Sequence, residues 1–209
     1  MFQRIAVAVL CTAVLAVGAA AAQQKPVRIR GTIEQVDGPV LTVKSREGDT
    51  LKVKLADDAK VLALVRASPS DIKTGAYVGS TAMPTANGGW DAVEVHIFPE
   101  SMRGVGMGDR PFDYKPKSTM TNGTVDRVTS GETTGAVAKT EGPTITIEYQ
   151  NGVKQIRLTP DTVIVSYAPG SKDELKPGAK IFISAATPQP DGSLMTARVN
   201  VGRGVTPPM

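Results

Sequence analysis

Hydrophobic and polar residues alternate with a period of two in many short runs along the chain. This spacing places the apolar side chains on one face of an extended segment, as half-buried β-strands require. The runs of the first half contain Leu41 and Val43, then Leu51, Val53 and Leu55, then Val93, Val95 and Ile97. Those of the second half contain Ile145 and Ile147, Ile156 and Leu158, and Val199 and Val201. The pattern predicts an all-β protein.

Turn signals separate these runs. Asp37-Gly38-Pro39, Asn87-Gly88-Gly89, Asn151-Gly152 and Asp191-Gly192 are typical of hairpin turns. Two stretches differ, Ser70–Gly75 and Ser171–Gly178, because a Ser start and a terminal Gly favour one short helical turn. The pattern of each half therefore predicts three strands, a helical turn and two strands in roughly 70 residues. This order is that of the OB-fold, a five-stranded barrel, although a small sandwich or an open meander has the same alternation.

The two halves form an internal repeat. GTIEQV from Gly31 corresponds to GTVDRV from Gly123, and later counterparts such as Leu55 and Leu158, or Gly75 and Gly178, are separated by a constant 103 residues. We therefore predict two tandem five-stranded OB-like barrels from an internal duplication, at residues 23–98 and 121–209. Residues 99–120 join them as a Gly/Pro-rich loop that we expect to contain no regular strand and to pack across one or both barrels.

The N-terminus has the pattern of a cleaved signal peptide. A basic residue, Arg4, precedes an apolar run from Ile5 to Val17, and Ala20-Ala21-Ala22 forms a cleavage site. We expect residues 1–22 to be removed and the mature chain to be periplasmic, with no transmembrane span. A membrane anchor is the alternative interpretation.

Composition and charge narrow the functional classes. One His, one Cys and 4% aromatic residues exclude a disulfide scaffold and a Cys/His zinc module. After loss of residues 1–22 the chain has 23 basic and 20 acidic residues, an excess too small to indicate nucleic-acid binding. No nucleophile with an evident partner is present, so we expect a non-enzymatic protein without a required cofactor.

Several motifs resemble a known group of proteins. They are the GT-[IV] starts, the DGPVLTV hairpin, SDIKTGAYVG, and above all HIFPESMRGVGMGDRPFD followed by STMTNGTV. The chain resembles uncharacterised exported alphaproteobacterial proteins within a domain-of-unknown-function family of periplasmic OB-like β-barrel modules. Members are often labelled metal ABC transporter permeases. A permease needs several apolar spans of about 20 residues, and none follows residue 22.

A soft-metal site is one hypothesis from the residues themselves. The single His, His96, lies on a strand between Met83 and the pair Met102 and Met107, and thioether sulfur with imidazole suits Cu(I) or Ag(I). Trp90, six residues before His96, would share its face of the strand. The alternative is a structural His with Met residues that anchor the loop.

A ligand-binding face is the second hypothesis. Trp90, Arg103, Asp109, Arg110 and Asp113 cluster around the loop, where Arg–Asp pairs also act as structural braces. A basic face offers a further surface for anionic envelope polymers, with these residues: Lys44, Arg46, Lys52, Lys54, Lys154 and Arg157.

The sequence thus favours a soluble periplasmic binding or assembly module of unknown ligand, whose partner is an envelope protein or an anionic envelope polymer rather than nucleic acid. The alternative is a soft-metal accessory of a transport or resistance system.

Overall fold

The structure is a computed structural model that describes residues 25–130 and 142–207. Within these ranges the chain is all-β, with no α-helix and three short 3₁₀ helices at Pro69–Asp71, Glu100–Met102 and Lys172–Glu174. The predicted signal peptide at residues 1–22 lies outside the described residues.

Strands account for most of the described chain, and their order within each half is the predicted one. The first half contains β1 (Val27–Asp37), β2 (Val40–Ser45), β3 (Thr50–Arg66), β4 (Tyr77–Pro84) and β5 (Trp90–Ile97). The second contains β7 (Thr119–Thr129), β8 (Thr144–Tyr149), β9 (Gly152–Pro169), β10 (Lys180–Pro188) and β11 (Leu194–Arg203). Between the halves lies the short β6 (Gly108–Pro111).

Hydrogen-bonded pairing closes these strands into rings. One five-stranded barrel runs β1–β2–β3–β11–β10 and back to β1, with β3 and β11 parallel and the other neighbours antiparallel. The remaining long strands form a second closed circuit, β7–β8–β9–β5–β4, in which only β5 and β9 run parallel. We call the barrel the first ring and this circuit the second ring.

The rings do not coincide with residues 23–98 and 121–209. Each ring takes three strands from one half of the chain and two from the other, so the halves exchange their last two strands. The physical reason is that the repeats share one pattern of apolar positions. The last two strands of either repeat present the same kind of edge, and the alternation of residues cannot specify which ring they complete.

The two apolar cores follow the rings. In the first ring Leu41 packs in one cluster with Ile183 and Val199 of the other half. In the second ring Ile147 shares a cluster with Val95 of the first half. All five side chains are fully buried. Because each core needs residues from both halves, neither half buries a complete core within these rings.

The rings meet where β3 crosses β9. Residues Leu62–Arg66 pair antiparallel with Val165–Pro169, and at the centre Leu64 pairs with Tyr167, its counterpart 103 residues later. The ends match as well, since Ala67 donates its amide to Ile164 and Gly170 donates to Val61. The crossing therefore relates the rings by an approximate twofold axis.

Two counterpart glycines bring neighbouring strands close together. A Cβ on Gly31 would lie 2.3 Å from the carbonyl oxygen of Lys44, and one on Gly123 would lie 2.2 Å from that of Glu148. These approaches are too short for any side chain. The GT motif of each repeat therefore marks the place where the first strand of a ring is pressed against the second.

The loop at residues 99–120 is more regular than expected. It contains a 3₁₀ helix and β6, which pairs with the start of β7. Since β6 is an edge strand, it tolerates Pro111. Asp113 then accepts hydrogen bonds from Arg28 and Arg30 of β1 at 3.1 and 2.8 Å. The loop thus contacts both rings.

The strand exchange is testable with engineered disulfides, because the sequence contains no cysteine after Cys11. Thr32 pairs with Lys180, whereas Thr124 pairs with Tyr77. We expect Thr32→Cys with Lys180→Cys to oxidise to a disulfide, since paired residues meet its distance requirement. The matched control is Thr124→Cys with Lys180→Cys, the pair that unexchanged barrels would join, and it should retain two titratable thiols. A disulfide in the control and none in the first variant would contradict the exchange.

Candidate functional site

A cleft of about 180 Å³ opens between the two rings beside their crossing. The first ring contributes residues of β1, β10 and β11, the second ring contributes residues of β7 and β9, and the loop covers one side. The strand exchange brings these elements together. The cleft is therefore a property of the whole chain rather than of either repeat.

Among the described residues, three arginines and no carboxylate line the cleft: Arg28, Arg110 and Arg198. Arg28 is paired with Asp113 and lies 5.0 Å from the Phe112 ring centre. Arg110 donates to the Gly106 carbonyl at 2.7 Å. Within the described residues, neither Arg110 nor Arg198 forms an ion pair, so the cleft has an excess of positive charge.

Two buried asparagines line the same cleft. Asn122 is 6% exposed and Asn200 is 3% exposed. Their amide groups donate to the carbonyls of Val105 and Phe182, at 3.1 and 3.2 Å. Both Oδ1 atoms have no hydrogen-bond partner among the residues that the structure describes. Both oxygens are themselves buried rather than exposed in the cleft, so they are unpaired acceptors within its wall, and such acceptors are costly.

Aromatic rings supply the apolar part of the cleft. Phe98 stacks on Tyr167 with ring centres 5.3 Å apart and planes at 14°. Phe112 and Phe182 lie on the other sides, with Met120 packed against them. The lining thus combines flat apolar surfaces with a few polar groups, the usual composition of small-ligand sites.

A buried polar chain lies behind the aromatic stack. Nδ1 of His96 is 3.0 Å from the Tyr167 hydroxyl, while Nε2 faces Oε1 of Glu94 in close contact. Glu94 is 1% exposed and His96 is fully buried. All three side chains belong to the second ring, yet Tyr167 reaches the cleft at the crossing.

Burial keeps this chain uncharged. It raises the pKa of Glu94 well above the usual 4.5, against the opposing effect of Arg30 and Arg46, and it lowers the pKa of His96 from 6.5 to about 3. Burial also raises the pKa of Tyr167. The uncharged imidazole of His96 has one N–H donor and one acceptor nitrogen, and the tautomer decides whether Nδ1 or the Tyr167 hydroxyl donates in their hydrogen bond.

The four residues proposed as ligands of a soft metal lie in different surroundings. Both ring nitrogens of His96 face protein groups, as described above. Met102 lines the cleft, whereas Met107 is 44% exposed. Met83 lies four residues along β4 from Gly79, the residue that pairs with His96, or about 13 Å of strand. Of the three methionines, the lining of the cleft includes Met102 alone.

The prediction that Trp90 shares the face of His96 is wrong. A bulge between Ala92 and Glu94 shifts the alternation of β5, so Trp90 packs with Ala92 and Val95 against the core of the second ring. The Lys154 ammonium lies 3.5 Å from its ring centre. The sequence contains no turn residue that would signal this bulge.

Most of the predicted ligand face is engaged in braces. Arg103 pairs with Glu100, Asp109 with Lys154, and Asp113 with Arg28 and Arg30. Arg110 is the only residue of that predicted set that lines the cleft.

Only some residues of the predicted basic face are exposed to solvent. Arg157 is paired with Asp91 and Lys154 is buried, whereas Lys44, Lys52 and Lys54 are exposed.

The sequence reasoning missed the polar groups that define the cleft: Asn122, Tyr167, Arg198 and Asn200. They belong to the second half, while His96, Met102 and Arg110 come from the first half and the loop. No linear spacing brings them together, because the strand exchange alone makes them neighbours. The alternation placed Asn200 on the face opposite Val199 and Val201, so no signal in the sequence indicated that its side chain is buried.

Comparisons with models of protein families, with curated proteins and with solved structures give no significant match to this chain. The described residues contain no helix long and apolar enough to cross a membrane. The same residues contain no group of three or more His, Cys, Asp or Glu arranged to hold a metal ion. The site is therefore interpreted from its own chemistry.

The neutral state of Glu94 has a measurable consequence. A carboxyl whose pKa is raised on folding contributes stability below pH 4.5, and this contribution is lost as pH rises towards the folded-state pKa. Glu94→Gln keeps a donor for His96 and removes the titration. We expect the free energy of unfolding of the wild type to fall relative to this variant between pH 5 and pH 8, as measured by urea unfolding.

The control is Glu34→Gln, at an exposed position of β1. Its difference from the wild type should stay constant over the same range. A constant difference for Glu94→Gln as well would show that Glu94 is not held protonated.

Proposed function

We propose that this protein is a non-enzymatic binding module of the bacterial envelope that holds an anionic ligand in the cleft between its rings. The signal-peptide pattern of residues 1–22 supports export to the periplasm. The positive lining of the cleft supports an anionic envelope polymer as the partner, in preference to an envelope protein.

One observation supports the proposal above all: of the residues that the structure describes, three arginines and no carboxylate line the cleft. Guanidinium groups in a partly enclosed site are strongly favourable partners for carboxylate, sulfate or phosphate oxygens. Arg198 and Arg110 carry this role, since Arg28 already has Asp113. The buried chain of Glu94, His96 and Tyr167 serves to hold the Tyr167 ring in place at the cleft wall.

We further propose that both rings are OB-like units that arose by duplication of one unit. The counterpart glycines Gly31 and Gly123, with their matching close approaches, support this origin. So does the approximate twofold axis through Leu64 and Tyr167. OB-folds bind saccharides and other polymers on their open faces, which agrees with a binding role.

The alternative function, a soft-metal accessory, would require a rearrangement around His96. His96 would have to give up its contact with Tyr167 or Glu94 before a ring nitrogen could coordinate Cu(I) or Ag(I). The cleft arginines would also repel a cation. The geometry therefore supports an anion better.

Binding of polyanions with three different charged groups tests the proposal. We expect the mature protein to bind at least one of alginate, dextran sulfate and polyphosphate in calorimetry at physiological salt. Arg110→Gln with Arg198→Gln should weaken that binding at least tenfold, because each charge-assisted hydrogen bond contributes about 1.5–3 kcal/mol.

The matched control is Lys52→Gln with Lys54→Gln, which removes the same charge from exposed positions of β3. It should retain affinity within about threefold, apart from the general screening effect of salt. Equal losses in both double variants would place binding on the surface rather than in the cleft. Absence of binding to all three polymers would contradict the proposal.

A further inference from the structure

We infer that a loop at the mouth of the cleft docks the protein on an anionic lipid bilayer, with Val105 and Met107 as the inserting side chains. This docking loop is residues 104–108, with the sequence Gly-Val-Gly-Met-Gly. The inference goes beyond the proposed function, because it concerns an exposed loop and a lipid surface rather than the ligand of the cleft.

Two aliphatic side chains extend into solvent from the docking loop. Val105 is 47% exposed and Met107 is 44% exposed. Among the exposed large apolar side chains of the described chain, these two alone belong to one short loop. Apolar side chains that protrude together indicate a contact surface more strongly than single exposed residues do.

Hydrogen bonds from the second ring fix the backbone of the docking loop. The Val105 carbonyl accepts from the Tyr77 hydroxyl and from the Asn122 amide, both at 3.1 Å. The Gly106 carbonyl accepts from Arg110 at 2.7 Å. Because the carbonyls face the protein and are held there, the two apolar side chains stay exposed in a defined arrangement. They can therefore contact a surface without a prior ordering of the loop.

The charges beside the docking loop favour an anionic surface. Arg110 and Arg198 form no ion pair within the described residues, and they line the cleft together with Val105 and Gly106. Each carboxylate of residues 99–113 is paired with a basic side chain: Glu100 with Arg103, Asp109 with Lys154, and Asp113 with Arg28 and Arg30. Positive charge without an acidic partner therefore lies next to the apolar side chains. A bilayer with anionic headgroups above its acyl chains has the complementary order of groups.

A bilayer fits this surface better than a protein partner or a polymer does. A stable protein interface buries about 800 Å² on each partner, whereas the exposed large apolar side chains of the docking loop number only two. A bilayer needs no matched area of that size, because a few inserted side chains and attraction to anionic headgroups suffice for reversible binding. A polyanion offers charge but no apolar phase that would accept Val105 and Met107.

Sedimentation with lipid vesicles tests the inference on the mature protein. The vesicles contain phosphatidylcholine alone or equal parts of phosphatidylcholine and phosphatidylglycerol. We expect binding to the mixed vesicles, and binding at least tenfold weaker to phosphatidylcholine alone. Val105→Thr with Met107→Gln nearly preserves the shape of both side chains and leaves the backbone hydrogen bonds in place. This double variant should bind the mixed vesicles at least tenfold more weakly, because two aliphatic side chains no longer insert.

The matched control is Val36→Thr with Val153→Thr, at two exposed positions outside the docking loop and the cleft. It should bind the mixed vesicles within about twofold of the wild type. Both double variants should keep the circular dichroism of the wild type and should bind the polyanions within about twofold, because the arginines of the cleft are unchanged.

The other outcomes separate this inference from the proposed function. Absence of binding to the mixed vesicles, or equal losses in the two double variants, would overturn the inference while binding of polyanions in the cleft stands. Equal binding to phosphatidylcholine alone would overturn it as well. So would an equal loss of polyanion binding in Val105→Thr with Met107→Gln, because both side chains would then belong to the ligand site. Vesicle binding that depends on these two residues, without binding of any polyanion, would overturn the proposed function alone.

Discussion

The antiparallel crossing of β3 and β9 is the contact on which the rest of the structure depends. It joins the rings at Leu64 and Tyr167, near the C-terminal ends of the two long strands, whose N-terminal parts pair within their own rings. Since the crossing carries the chain from one ring to the other, the last two strands of each half complete the ring that the other half began. The cleft, the shared cores and the position of Tyr167 all follow from this arrangement.

The approximate symmetry of the crossing places different chemistry at counterpart positions. Val95 pairs with Ile164 as Val199 pairs with Val61, so His96 and Asn200 are counterparts, and so are Glu94 and Arg198. On one side the polar groups are buried as a neutral chain that ends at the Tyr167 hydroxyl. On the other side Arg198 presents its guanidinium to the cleft, and Asn200 is buried in the cleft wall. Counterpart positions thus form the buried chain behind the cleft in one repeat and part of the cleft lining in the other.

The alternation of residues predicted the strands and their order because a half-buried strand records its two faces directly in the sequence. The repeat likewise predicted that Gly31 and Gly123 would occupy equivalent places. It did not predict which strands close each ring, because both repeats offer the same edges. It also missed the bulge at Ala92, which carries Trp90 to the opposite face, and the site residues that meet only through the exchange. Arg110 was found because it lies in the loop, whereas Arg198 and Asn200 were not.

Nuclear Overhauser contacts between the side chains of each long strand, β3 or β9, and those of its parallel neighbour test the exchange most directly. The structure pairs Val61 with Val199 and Ile164 with Val95. We expect strong methyl–methyl contacts within both of these pairs in the mature protein labelled at its valine and isoleucine methyls. Contacts between Val61 and Val95, with others between Ile164 and Val199, would show that each half closes on itself and would contradict the account.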